Sequence, residues 1–167
     1  MLESEQLRAI KLIREVVSKL DLNLTGLNVL TEVGSNNYLY TPLIAAIAGA
    51  ENVYAWCNDS PYGLASDVKK QLDFVSSFLE LNTPIVVKMN EQVVEHIRTA
   101  NIITNSGSIR PIDKSFLKHV DPSSCVIPLM YEAWELRESD IDIVECQKKG
   151  VKVAGTWESH PELSIFE

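Results

Sequence analysis

The stretch that most limits what this chain can fold into is NVLTEVGSNNYLYTPLIAAIAGAENVYAWCNDS, residues 28–60. It reads as an apolar run of strand length, a polar turn, a small-residue helix and a second apolar run. Residues 27–33 are nearly continuous in apolar character, as expected of a strand in a parallel sheet covered by helices on both faces. Thr41 is a capping candidate, Pro42 suits a first helical turn, and residues 43–50 are short and alanine-rich, which lets a helix lie close on a sheet. Residues 53–57 supply the second strand.

The rest of the chain repeats this alternation. Residues 3–20 carry Ala9, Ile10, Ile13, Val16, Val17 and Leu20 at helical spacing; such a helix can cover the sheet or pair with its copy in a homodimer. Residues 64–81 place Leu64, Val68, Leu72, Val75 and Leu79 on one helical face. Pro84 opens a third strand over 85–88, Asn90 is a cap candidate for a helix over 91–99, and 101–105 reads as a fourth strand. Asp113 can cap a helix over 114–119, and 125–129 is a fifth strand. Ser139 with Asp142 resembles a capping pair for a helix over 140–149, which ends in Lys148, Lys149 and Gly150. Residues 151–154 form a sixth strand, and Pro161 argues against a long terminal helix. The expectation is an α/β fold: a single doubly wound, Rossmann-like parallel sheet of about six strands with helices on both faces. Residues 1–167 would form one domain, with 1–22 an N-terminal helix packed on the sheet or on a partner subunit.

Charge narrows the partners. The formal net charge is −8, the wrong sign for releasing counterions from a nucleic-acid backbone or for binding an acidic membrane surface. No apolar run approaches a membrane span, and no charged-then-apolar leader opens the sequence. Cys57, Cys125 and Cys146 are odd in number and far apart, without metal-ligand spacing. They read as reduced thiols of a cytoplasmic protein, and no metal is expected.

In open α/β sheets ligands bind beyond the carboxyl ends of the strands, where strand order reverses. That rule nominates the loops 34–41, 57–63, 89–90, 105–111, 130–137 and 156–160. In the first loop, Gly34, Ser35, Asn36, Asn37 and Thr41 precede a helix start, where free N–H groups and the dipole favour an anion. Asn36-Asn37 can equally be a simple turn. Gly34 stands where a dinucleotide fingerprint has three glycines, and Tyr38 and Tyr40 are placed to fill the space that the others leave. Asp59 can meet a ribose hydroxyl after the second strand, or start the next helix. Asn105, Ser106 and Gly107 offer amide and hydroxyl groups in a turn beside Arg110, a residue suited to gripping a carboxylate or phosphate of the substrate. Arg110 can instead pair with Asp113 or with one of the late acids. Glu132 or Glu135 becomes a candidate general base if buried beside Tyr131 or Trp134, since desolvation raises a carboxyl pKa; otherwise both are rim charges. His160 can pair with Glu158 as an acid/base unit, or belong to ordinary surface. His96 and His119 lie on helical segments and read as structural or exposed. GxSxG, GxxxxGK[ST] and HExxH are all absent, which removes the hydrolase elbow, P-loop and zinc-protease readings.

Two family resemblances add to this. ANIITNSGSIRPIDKSFLKHV and DIDIVECQKKGVKVAGT, within residues 100–156, resemble the D-isomer-specific 2-hydroxyacid dehydrogenases, in the flavodoxin-like half on the substrate side. That resemblance implies that Ser106, Gly107 and Arg110 face a ligand, and that the catalytic set of such an enzyme is incomplete in this chain. VLTEVGSNNYLYTPLIAAIAGAENVYA and VDPSSCVIPL are similar to class I S-adenosylmethionine-dependent methyltransferases, although Cys57 stands where an acid would bind ribose. Three readings follow: a Rossmann-like domain binding a nucleotide or dinucleotide such as NAD or NADP, an S-adenosylmethionine-dependent methyltransferase, and a non-catalytic binding or assembly domain.

Overall fold

The computed structural model describes residues 3–91 and 93–157. The chain runs α1 (Ser4–Lys19), β1 (Asn28–Glu32), α2 (Thr41–Ile47), β2 (Asn52–Cys57), α3 (Ala65–Ser76), β3 (Ile85–Met89), α4 (Val94–Thr99), β4 (Ile102–Ile103), α5 (Lys114–Leu117), β5 (Val126–Pro128), α6 (Ile143–Lys149) and β6 (Lys152–Ala154). The six strands pair in the order β3-β2-β1-β4-β5-β6, all parallel. This is the doubly wound arrangement expected from the alternation.

Successive residues of a strand face opposite ways, and each side of the sheet has its own core. Leu30 packs with Ile97, Ile109, Leu117 and Ile127, on the side of α4 and α5. Val33, Ala55 and Cys57 pack with Leu43, Val68, Leu72 and Val75 from α2 and α3. Ile10 of α1 joins this second group, so the N-terminal helix covers the α2 side. Val16 and Leu20, assigned above to its apolar face, are instead exposed.

Several helix ends are set by neighbouring residues, as the sequence suggests. Asp113 Oδ1 accepts from the Phe116 N–H at 2.9 Å, and Gly150 closes α6 with φ +76°, a left-handed conformation that glycine adopts without strain. Others differ. Thr41 lies within the first turn of α2, with no side-chain cap there. Asp142 alone caps α6, accepting from the Glu145 N–H at 2.8 Å, while Ser139 turns to Asp140. Asn90 adopts φ +52° and accepts from the Asp59 N–H at 2.8 Å; it ties the end of β3 to the end of β2 rather than capping α4. The α3 helix stops at Ser76, where the Ser77 hydroxyl donates to the Phe74 carbonyl at 2.7 Å.

Strand order reverses between β1 and β4. There the buried hydroxyls of Thr31 and Thr104 meet at 2.9 Å, joining the two strands by side chains as well as backbone. Thr31→Val should destabilise the fold by about 1–3 kcal/mol, because it strands a buried hydroxyl on Thr104. The double variant Thr31→Val/Thr104→Val should lose clearly less than the sum of the singles, as measured by urea unfolding.

Candidate functional site

Beyond the carboxyl ends of β1, β2 and β4 lies a cleft of about 640 Å³. Its walls include Gly34, Ser35, Asn36 and Asn37 from the first loop, Asp59 from the second, and Gly107, Ser108 and Arg110 from the loop after β4. Three of the six nominated loops therefore meet around one space. Its volume is in the range of small-molecule and cofactor sites.

The first loop is tight. Gly34 donates to the Tyr38 carbonyl at 3.3 Å, and Asn36 takes the left-handed conformation, with φ +56°. A single 3₁₀ turn, Asn36–Leu39, follows before α2. A β-carbon at Gly34 would lie 3.1 Å from that of Tyr38, so Tyr38 occupies space beside the single glycine, as the sequence suggested. Thr41 is half-buried in α2 and does not line the cleft.

Asp59 is already engaged in the fold. Its Oδ1 accepts from the Ala65 N–H at 2.8 Å, at the start of α3, while its exposed side chain borders the cleft. The Arg110 guanidinium donates to Asp140 Oδ2 at 2.9 Å, so its partner is a late acid rather than Asp113. Asn105 is fully buried, and its Oδ1 accepts from the Met130 N–H at 2.8 Å, which ties the ends of β4 and β5 together.

Glu132 is exposed and Glu135 half-buried, around the 3₁₀ turn Ala133–Glu135 after β5, and neither lines the cleft. Trp134, offered as their desolvating neighbour, is itself exposed. His160 and Glu158 lie outside the described residues.

The buried carboxyl is on a different residue. Glu32, the last residue of β1, is 4% exposed and lines the cleft. Burial pushes its pKa up, and the nearby Ser106 hydroxyl and Arg110 charge offset part of that rise. Glu32 Oε1 and Ser106 Oγ are buried and have no hydrogen-bond partner among the described residues. Asn105 Nδ2 and Tyr131 OH are likewise buried without a hydrogen-bond partner among the described residues. Such groups are few in native proteins and call for a specific reason; the charge of Arg110 acts on two of these residues, Glu32 and Tyr131.

Gly107 is what permits this packing. With φ +49°, it carries its backbone against Glu32 so closely that a β-carbon would fall 1.3 Å from Oε2. Cys57 also lines the cleft, but burial, Asp59 and Glu32 all push its thiol up. Cys125 and Cys146 are pushed up to about 12 and about 11, mainly by burial. All three thiols are therefore poor nucleophiles.

Sequence reasoning passed over Glu32 and gave Tyr131 no role of its own. The signal for Glu32 was a charged residue ending a strand that must be buried on both faces.

No protein-family model matches the chain, and no curated protein matches it. Solved structures do. The shikimate 5-dehydrogenase of Listeria monocytogenes, in complex with shikimate and NAD, aligns with TM-score 0.58 and 11% identity over 84% of this chain and 49% of that one. The ligand-free 5-ketofructose reductase of Gluconobacter sp. strain CHM43 aligns with TM-score 0.55 and 10% identity, over 83% and 48%. The quinate dehydrogenase of Corynebacterium glutamicum, in complex with NAD, aligns with TM-score 0.51 and 11% identity, over 86% and 49%. The chain spans about half the length of these structures.

Two outcomes follow from the packing of Glu32. Gly107→Ala should displace the Glu32 carboxyl and impose left-handed strain of roughly 1–2 kcal/mol; Glu32→Ala in the same chain should relieve the displacement but not the strain, as read by chemical unfolding. Glu32 also sets a pH dependence. Its folded pKa lies above its unfolded value near 4.5, so the folded state binds more protons there and stability falls as pH rises from the unfolded value through the folded one. Glu32→Gln should lose that fall and gain on the native protein toward neutral pH, in a series of melting curves against pH. At the identity of these neighbours it is the fold that is shared: this chain has a Rossmann-type α/β architecture.

Proposed function

We propose that this chain is a nucleotide-binding domain related to dehydrogenases, and that the cleft at the β1/β4 reversal holds a nucleotide or dinucleotide, NAD or NADP. The observation that carries this reading is the convergence of the loops after β1, β2 and β4 around one cleft of about 640 Å³, at the place where this topology binds ligands. Two structural neighbours were solved with NAD.

In this reading Gly34, Ser35, Asn36 and Asn37 hold the diphosphate, with Thr41 behind them. Asp59 and Gly107 hold the nucleoside, with the buried Asn105 and Ser106 behind Gly107, and Arg110 orients an anionic substrate group. The cofactor would supply hydride chemistry, and the residues of this chain bind and orient. Kinship with the D-isomer-specific 2-hydroxyacid dehydrogenases belongs to the same reading; the position of Gly107 and Arg110 on the wall of the cleft supports it, with Ser106 buried behind Gly107. The methyltransferase reading calls for an antiparallel strand, whereas the described strands are all parallel, which favours the dehydrogenase-related reading.

A thermal-shift panel with NAD, NADP and S-adenosylmethionine tests this. A ligand at about 100 times its dissociation constant should stabilise the protein by roughly 2.7 kcal/mol. NAD or NADP is expected to do so, and Gly34→Val should abolish the shift; because its β-carbon would lie 3.1 Å from that of Tyr38, the variant's fold is checked first by circular dichroism. A shift from S-adenosylmethionine alone, or from none of the three, would overturn the reading.

A further inference from the structure

The N-terminal helix α1 carries two apolar stripes. Ile10 packs into the core on the α2 side, and Val17 packs against the neighbouring cluster that holds Leu24, Val29 and Ala48. Leu12, Val16 and Leu20 follow one another at four-residue spacing on a different side of the helix, and all three are exposed. At the α-helical rise this second stripe is about 12 Å long. Covering the sheet accounts for the first stripe only.

Charge selects what can cover the second. The chain has a net charge of −8, yet α1 sets Arg8, Lys11, Arg14 and Lys19 against Glu5 and Glu15, so the rest of the chain is more acidic still. Two copies that meet through other faces repel each other, and α1 is where that repulsion is lifted. The helix is also complementary to itself. With two copies of α1 antiparallel and Val16 facing Val16 on a two-fold axis, Leu12 of each meets Leu20 of the other. Glu15 and Lys19 border the same edge of the stripe, so two acids and two cations then gather along it. Glu15 has Lys11 at 3.7 Å on its own helix, an exposed pair that water screens.

We propose that this stripe is the contact surface of a homodimer, formed by antiparallel pairing of α1 with α1 of a second copy about an axis at Val16. A two-fold pairing uses the stripe of both copies and closes the assembly at two. The stripe is small beside the roughly 20–30 residues a side of a standard interface, so the dimer is weak and concentration-dependent. A lipid surface is the other body that exposed leucines beside basic residues can meet, and the acidity of the rest of the chain opposes it at an anionic bilayer.

The test is sedimentation equilibrium of the full chain from about 1 to 100 μM, the range in which a weak dimer forms. The mean mass should rise from 18.7 kDa toward twice that value. Val16→Asp places two carboxylates on the axis and should hold the mass at that of the monomer. Glu15→Lys should raise the dissociation constant about tenfold by gathering four cations along one edge, and Glu15→Lys/Lys19→Glu should restore it. Neither of these alters an apolar residue, so they stand if Val16→Asp fails to fold; circular dichroism checks each variant. A monomer at every concentration overturns the proposal, and co-sedimentation with phosphatidylserine-containing vesicles then assigns the stripe to a membrane. A dimer that survives Val16→Asp overturns it in favour of another face. A charge swap that leaves the dimer weakened overturns the antiparallel pairing.

Discussion

The rest of the structure depends on β1 being paired on both sides. Its backbone takes β2 along the whole of Asn28–Glu32 and β4 at Val29 and Leu30. Crossovers in a parallel sheet are right-handed, so chain that leaves β1 toward β2 and β3 must place its helices on one face, and chain that returns to β4, β5 and β6 must place them on the other. The loops above β1 and β4 consequently part in opposite directions, and the cleft is the gap between them. It is a consequence of connectivity, and the side chains lining it were given their positions by the sheet before any ligand is considered.

That placement carries a free-energy penalty. A carboxyl at 4% exposure with one oxygen unpartnered is a net cost to folding, because burial disfavours its charged form. The fold tolerates it through the neighbours it has: the Ser106 hydroxyl, the Arg110 charge and the apolar core beneath, where Leu30, Ile103 and Ile127 are fully buried. A hydrophobic residue at position 32 would pack there without that cost. Strain and unmet polar groups of this sort concentrate at functional sites in natural proteins.

Much of the architecture was legible because its signals are local. The apolar runs around Val29, Val53 and Val86 are continuous and short, Asp113 caps a helix three residues ahead, and Gly150 follows two lysines at a helix end. Interactions that span the sheet were not legible. Asn90 reads as a helix cap, but its left-handed backbone and its bond to the Asp59 N–H depend on β2 and β3 lying side by side. Arg110 and Asp140 are thirty residues apart, and no periodicity links them. The loops of the site could be nominated from topology, whereas Glu32 could not be told from an ordinary strand-end charge without knowing that Ser106 and Gly107 close over it. Glu132 and Glu135 drew notice because aromatic residues flank them in sequence; the fold leaves Trp134 outside.

The contact between Gly107 and Glu32 has an evolutionary consequence. The side-chain space of position 107 is occupied by the carboxyl of position 32, so the two residues share one volume although 75 positions separate them. Relatives of this chain that carry a β-carbon at 107 must shorten or turn away the residue at 32, and those that keep a long acid at 32 must keep glycine at 107. The pair should therefore vary together, and the identity of residue 107 would tell, in each relative, whether the acidic floor of the cleft has been kept.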